Sequence, residues 1–288
     1  WEERRNSIYE FLADHDPDPQ NKNPSRWSRL GGVMRGDKEQ KILALNVGSD
    51  NWDDWVVWRD GQDLPDEMRT DFLESYNTLE DPNHVIGHGR WLCRGGSLLI
   101  TGQSGIGKSS FTMQTACSWA LGRELFGIPV KKALRVGVIQ AECDVGDLAE
   151  AYQGVTSSMD LSAADRQVLR QNLIFYTETS KTGKDFADLV RKIVVRQHLD
   201  VIFCDPLLSY VGGDLSKQEV ASHFLRNCIQ PILKDTGCII VFTHHEGKPK
   251  PKEVTDGQTI SDMAYSGLGS SELTNWARAI ISRLTLMM

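Results

Sequence analysis

The chain has 288 residues, 40% of them hydrophobic and 25% charged, which is enough to bury the core of one large α/β domain and leave a smaller region beside it. No run approaches the roughly eighteen consecutive apolar residues of a membrane-spanning helix, and Trp1-Glu2-Glu3-Arg4-Arg5 is not a signal peptide, so a soluble cytoplasmic protein with no membrane partner is expected. A net charge of −7 excludes a general attraction to nucleic acid and confines any such contact to a local basic loop or groove.

Residues 1–90 are polar and rich in Asp, Asn, Pro and Trp, with one amphipathic stretch from Pro65 to Tyr76. They are expected to form an N-terminal arm or linker, and the first residue being Trp suggests a piece of a longer chain. From residue 91 the pattern changes to short apolar runs alternating with helical stretches, the signature of a mainly parallel sheet covered by helices. Strands are predicted at Ser97–Thr101, Leu134–Ala141, Leu173–Thr177, Val201–Cys204, Cys238–Thr243 and Arg278–Leu284. Helices are predicted to start near Gly107, Val145, Lys184, Lys217 and Ser270. The six cysteines show no C-x-x-C spacing and several lie in apolar runs, so reduced, buried thiols are expected.

The first predicted strand runs into Gly102-Gln103-Ser104-Gly105-Ile106-Gly107-Lys108-Ser109-Ser110, which contains the full pattern G-x-x-x-x-G-K-[ST]. Between a strand and a helix, such glycines let backbone amides and the helix N-terminus wrap phosphates. Lys108 is then expected to reach the β and γ phosphates of a nucleoside triphosphate, and Ser109 to ligate Mg²⁺. A second metal ligand is expected at the end of a buried strand, where Val201-Ile202-Phe203-Cys204 leads into Asp205. Pro206 follows it, so the group that activates water must come from elsewhere. Glu142, following the strand that ends at Ala141, is the candidate base, because neighbouring parallel strands open toward one crevice at their carboxyl ends. His244 and His245 end a further strand beside that crevice, and one of them, with preference for His245, is expected to sense the γ phosphate. The chain has no N-K-x-D motif for reading guanine, so ATP is preferred to GTP.

Taken together, the phosphate loop, the Glu after the next strand, Asp205-Pro206 and His244-His245-Glu246-Gly247-Lys248 resemble the RecA-fold, AAA-type ATPases of the hexameric replicative helicases, and most nearly the plasmid RepA-type. The likeness spans residues 91–284. It implies a RecA-like P-loop ATPase domain over 91–288, a ring homo-oligomer, and single-stranded DNA as a partner. Gly269-Ser270-Ser271-Glu272-Leu273-Thr274-Asn275-Trp276-Ala277-Arg278 is similar to the family's small-residue turn and helix ending in arginine. By that likeness Arg278 is an arginine finger for a neighbouring subunit's nucleotide, with Arg283 as a weaker substitute. The family's arginine just before the turn is replaced here by Leu268. Lys248, Lys250 and Lys252, interleaved with prolines in a predicted loop over residues 247–258, would contact DNA phosphates in the central channel. Earlier in the chain, Asn23-Pro24-Ser25-Arg26-Trp27 and Glu39-Gln40-Lys41-Ile42 look like the segment that follows the primase-polymerase module of mobile-element replication proteins. A regulatory ATPase that switches a protein partner, without moving on DNA, is the alternative, favoured by the acidic balance and the absence of aromatic residues in the lysine loop.

Overall fold

The computed structural model describes residues 67–245 and 271–282 continuously, with the helix Trp52–Asp60 and residues 6, 7, 10, 34, 35, 38 and 39 before them. The chain divides into two compact units, Trp1–Tyr76 and Asn77–Met288. In the first unit, Met34–Arg35 pairs antiparallel with Lys38–Glu39, and two helices follow, Trp52–Asp60 and Thr70–Ser75. The helix Thr70–Ser75 buries none of its residues. This first unit holds 17 acidic and 10 basic residues, so it alone accounts for the net −7 and leaves the second unit neutral.

The second unit opens with a short hairpin, β1 (His84–Ile86) and β2 (Leu92–Cys93). Its main body then runs β3 (Ser97–Gly102), α1 (Lys108–Ala120), β4 (Val136–Gln140), α2 (Val145–Ser158), α3 (Ala163–Asn172), β5 (Leu173–Thr177), α4 (Gly183–Gln197) and β6 (Val201–Asp205). After β6 come α5 (Leu208–Val211), α6 (Gln218–Ser222), a π-helical stretch His223–Ile229, α7 (Gln230–Thr236), β7 (Ile239–His245), α8 (Ser271–Trp276) and β8 (Ala279–Ser282). Six strands form one wholly parallel sheet in the order β8-β3-β7-β6-β4-β5. This is a RecA-like P-loop core, an α/β sheet flanked by helices.

Strand alternation divides the apolar residues between two cores. Leu99, Ile139, Ile202, Ile240 and Phe242 face α4, α7 and the π-helical stretch, where Phe186 stacks on Tyr210 with ring centroids 3.9 Å apart. Leu98, Ile100, Val138, Phe203 and Val241 face α1, together with Val85, Ile86 and Leu92 of the hairpin. Because both faces are covered, β3, β4 and β6 are buried at every position, which is why they read in sequence as apolar runs without alternation. The local ends obey helix chemistry: Asp144 with Asp147 and Ser162 with Asp165 form reciprocal capping boxes at the starts of α2 and α3.

All six strands expected from the sequence are present within a few residues of the predicted bounds, and so are the five helix starts. The hairpin β1–β2, α3, α5 and the π-helical stretch were not anticipated. The six cysteines are free thiols: Cys117, Cys204 and Cys238 are buried, and Cys93, Cys143 and Cys228 are half-buried. Burial pushes the Cys117 thiol up to about 12. Residues 247–258 with the three lysines, and Arg283, lie outside the described residues.

Candidate active site

The turn from β3 into α1 is shaped by its glycines. Gly105 and Gly107 adopt φ +81° and +90°, in the left-handed region that side chains with a Cβ disfavour. Gly102 makes a different close approach, since a Cβ there would meet Cδ1 of Ile106 and make that side chain, which folds back over the strand end, shift. The turn delivers Lys108 to the first position of α1, where the residue is 5% exposed. Its Nζ donates to the carbonyls of Gly102 at 2.8 Å and Gln103 at 2.7 Å, so the ammonium is held inside the curve of its own loop. Gln103, Ser104, Gly105, Ser109 and Ser110 are exposed, while Ile106 and Gly107 are half-buried.

Asp205 ends β6 and is 5% exposed. Its Oδ2 accepts from Ser109 Oγ at 3.4 Å and from Gln140 Nε2 at 3.0 Å, and its Oδ1 accepts from the Thr243 hydroxyl. The sheet order explains the meeting. β7 lies between β3 and β6, and β4 lies on the far side of β6, so the carboxyl ends of four adjacent strands converge beside the loop. The structure thus brings together Lys108, Ser109 and Asp205, and adds Gln140 and Thr243, which sequence reasoning treated only as strand residues.

Glu142 lies two residues past the end of β4 and is exposed. Its segment is anchored on both sides: the Ala141 N–H donates to the Asp205 carbonyl at 3.0 Å, and the Asp144–Asp147 capping box fixes the start of α2. His244 and His245 pair in register with Thr101 and Gly102, the residues leading into the phosphate loop. His244 is 7% exposed and His245 half-buried. Arg278 is not brought to this crevice. It is exposed just ahead of β8, and its N–H donates to the carbonyl and the hydroxyl of Ser97, at the opposite end of β3 from the phosphate loop. With about 3.3 Å per strand residue, the length of β3 separates it from Lys108 of its own chain.

The residues present fit a nucleoside triphosphate with its cation. A left-handed glycine turn ends at a helix N-terminus, a lysine ammonium sits in its curve, and a serine hydroxyl and a buried carboxylate share one position beside it. Among the described residues there is no cluster of three or more His, Cys, Asp or Glu side chains that would instead hold a transition metal.

A comparison with curated proteins finds no match. A family model described as an AAA domain matches residues 62–251, more than half of the chain and including the whole phosphate loop, Glu142, Asp205 and both histidines. On that match and on the parallel P-loop core, the chain belongs to the AAA-type P-loop ATPase family.

Proposed function

We propose that the protein is a Mg²⁺-dependent ATPase motor of the replicative helicase type, working on single-stranded DNA as a ring homo-oligomer, a hexamer by its resemblance to the RepA-type helicases. The observation that carries the hydrolytic reading is the approach of Ser109 and Asp205 to 3.4 Å beside the buried Lys108. Mg²⁺, when bound with the triphosphate, would offset the negative charge of the phosphates. Lys108 and the loop amides hold the phosphates, Ser109 and Asp205 hold the cation's position, and Glu142 takes the proton of the attacking water. His245, at the end of the strand between the phosphate loop and Asp205, senses the γ phosphate.

The ring is supported by the place of Arg278. Exposed at the far end of the sheet, it has no route to its own phosphate loop, so an arginine-finger role requires a neighbouring copy's nucleotide. DNA as the track is supported by the His-His-x-x-Lys resemblance and by the charge division, because the ATPase unit is itself neutral and does not repel a polyanion. Residues 1–90 are proposed as the arm that joins this motor to an upstream module.

The test is the ATPase rate across a protein concentration series, with and without single-stranded DNA, for wild type and Arg278→Ala. DNA stimulation, a rate rising more than linearly with concentration, and loss of both in the variant are expected. Turnover that is independent of DNA and concentration and survives Arg278→Ala would replace this reading with a regulatory switch acting on a protein partner.

A further inference from the structure

Asp205 is flanked on both sides by neutral hydrogen-bond donors from the neighbouring strands. Gln140 is its register partner on β4, and the pairing of Cys204 with Phe242 places Thr243 beside it on β7. Both donors are buried, Gln140 at 5% and Thr243 at 0% exposure. Their backbones are also tied. The Gln140 carbonyl accepts from the Glu178 N–H at 2.9 Å, and the Thr243 carbonyl from the Leu207 N–H at 2.8 Å. Neither side chain has room to turn to solvent for a partner.

We propose that Gln140 and Thr243 are positioning residues that fix the Asp205 carboxylate so that Oδ2 presents to the cation shared with Ser109. This rests on the nucleotide-site reading above. A carboxylate has two equivalent oxygens with about four acceptor positions, and a bare one could turn either toward the cation. Thr243 engages Oδ1, while Gln140 engages Oδ2 from the β4 side. The other acceptor position of Oδ2 takes the Ser109 hydroxyl at 3.4 Å, and it is this contact that a cation held by both oxygens would replace. The choice of donor matters as much as its place. An arginine or lysine would orient the carboxylate equally well but would cancel the charge that attracts the cation, whereas an amide and a hydroxyl orient it and leave the full negative charge in place.

The experiment measures binding of a fluorescent ATP analogue to the full chain while Mg²⁺ is titrated, and again in excess EDTA. Thr243→Val and Gln140→Met remove the donors at nearly constant volume, and Thr243→Ser restores the hydroxyl. Each of the first two is expected to raise the Mg²⁺ concentration at half-maximal binding about tenfold, while binding in EDTA stays within about twofold of wild type. Thr243→Ser is expected to return the Mg²⁺ requirement to within about twofold. An unchanged Mg²⁺ requirement in both donor-deleted variants overturns the inference, as does an equal loss of EDTA binding that serine fails to rescue. A wild-type chain showing no Mg²⁺-dependent binding overturns the site reading itself, so the two failures are distinguishable.

Discussion

Replacing Lys108 by Met keeps the apolar stem of the side chain and deletes the ammonium, and the structure separates the consequences for folding from those for binding. Within the chain, Nζ makes charge-assisted bonds to the Gly102 and Gln103 carbonyls. Such bonds contribute about 1.5–3 kcal/mol each. Opposing them, the ammonium is 5% exposed, and removing a charge from water costs several kcal/mol. The two nearly cancel, so the variant's ligand-free stability should lie within about 2 kcal/mol of wild type. On the proposed function the deleted ammonium is the group that meets the phosphates, so binding is expected to fall well beyond any change in stability. Wild type at a ligand concentration of about 100 Kd gains about 2.7 kcal/mol. At about 2–4 °C per kcal/mol for a domain of this size, that is an upward shift in Tm of about 5–11 °C. Differential scanning fluorimetry with and without MgATP reads both quantities. Lys108→Met should melt near wild type alone and show a shift below about 1 °C with nucleotide. A variant that keeps the wild-type nucleotide shift would refute the placing of the phosphates at this lysine.

Glu142→Gln should bind nucleotide within about threefold of wild type yet lose turnover by about 10²-fold or more, measured by phosphate release at saturating ATP; normal turnover removes Glu142 from the chemistry. Asp165 should contribute to stability near neutral pH and lose that contribution in acid. Bonds from the Ser162 hydroxyl and N–H, then the nearby Arg123 guanidinium, hold its folded-state value below the usual carboxylate range. A depressed folded value stabilises above the unfolded value and is lost as pH falls through the folded one, so the contribution is present at pH 6 and fades below about pH 4. Urea midpoints at pH 6 and pH 3 should therefore differ less in Asp165→Asn than in wild type.

How much of this was legible in the chain depends on what kind of physics placed each residue. The strand Leu173–Thr177 was read with its observed bounds because a short apolar run in an α/β chain has few alternatives. The helix α3 was missed although Ser162-Ala163-Ala164-Asp165 carries a capping-box signal, because its exposed surface leaves little apolar periodicity, with Leu169 its one buried residue. The strands of the β1–β2 hairpin, three and two residues long, are shorter than any window in which alternation can be counted. The phosphate loop was legible because its glycines and lysine are local in sequence. Gln140 and Thr243 were not, since their meeting with Asp205 depends on register across three strands, which is a tertiary property. For Arg278 the predicted strand Arg278–Leu284 already gave a strand start in a mainly parallel sheet, and what the sequence hid was the neighbour, which the pairing of β8 with β3 supplies.

That last pairing also sets a timetable. The strand carrying the phosphate loop has β8 as one of its two neighbours, and the bond from the Arg278 N–H to the Ser97 hydroxyl joins residues 181 positions apart. During synthesis at about 5–20 residues per second, β3 therefore waits roughly 9–36 s before the strand that completes its flank exists. Over that interval a row of backbone N–H and C=O groups on an apolar strand stands open to pairing with any other nascent chain. The window for misassembly is thus written into the order of the strands.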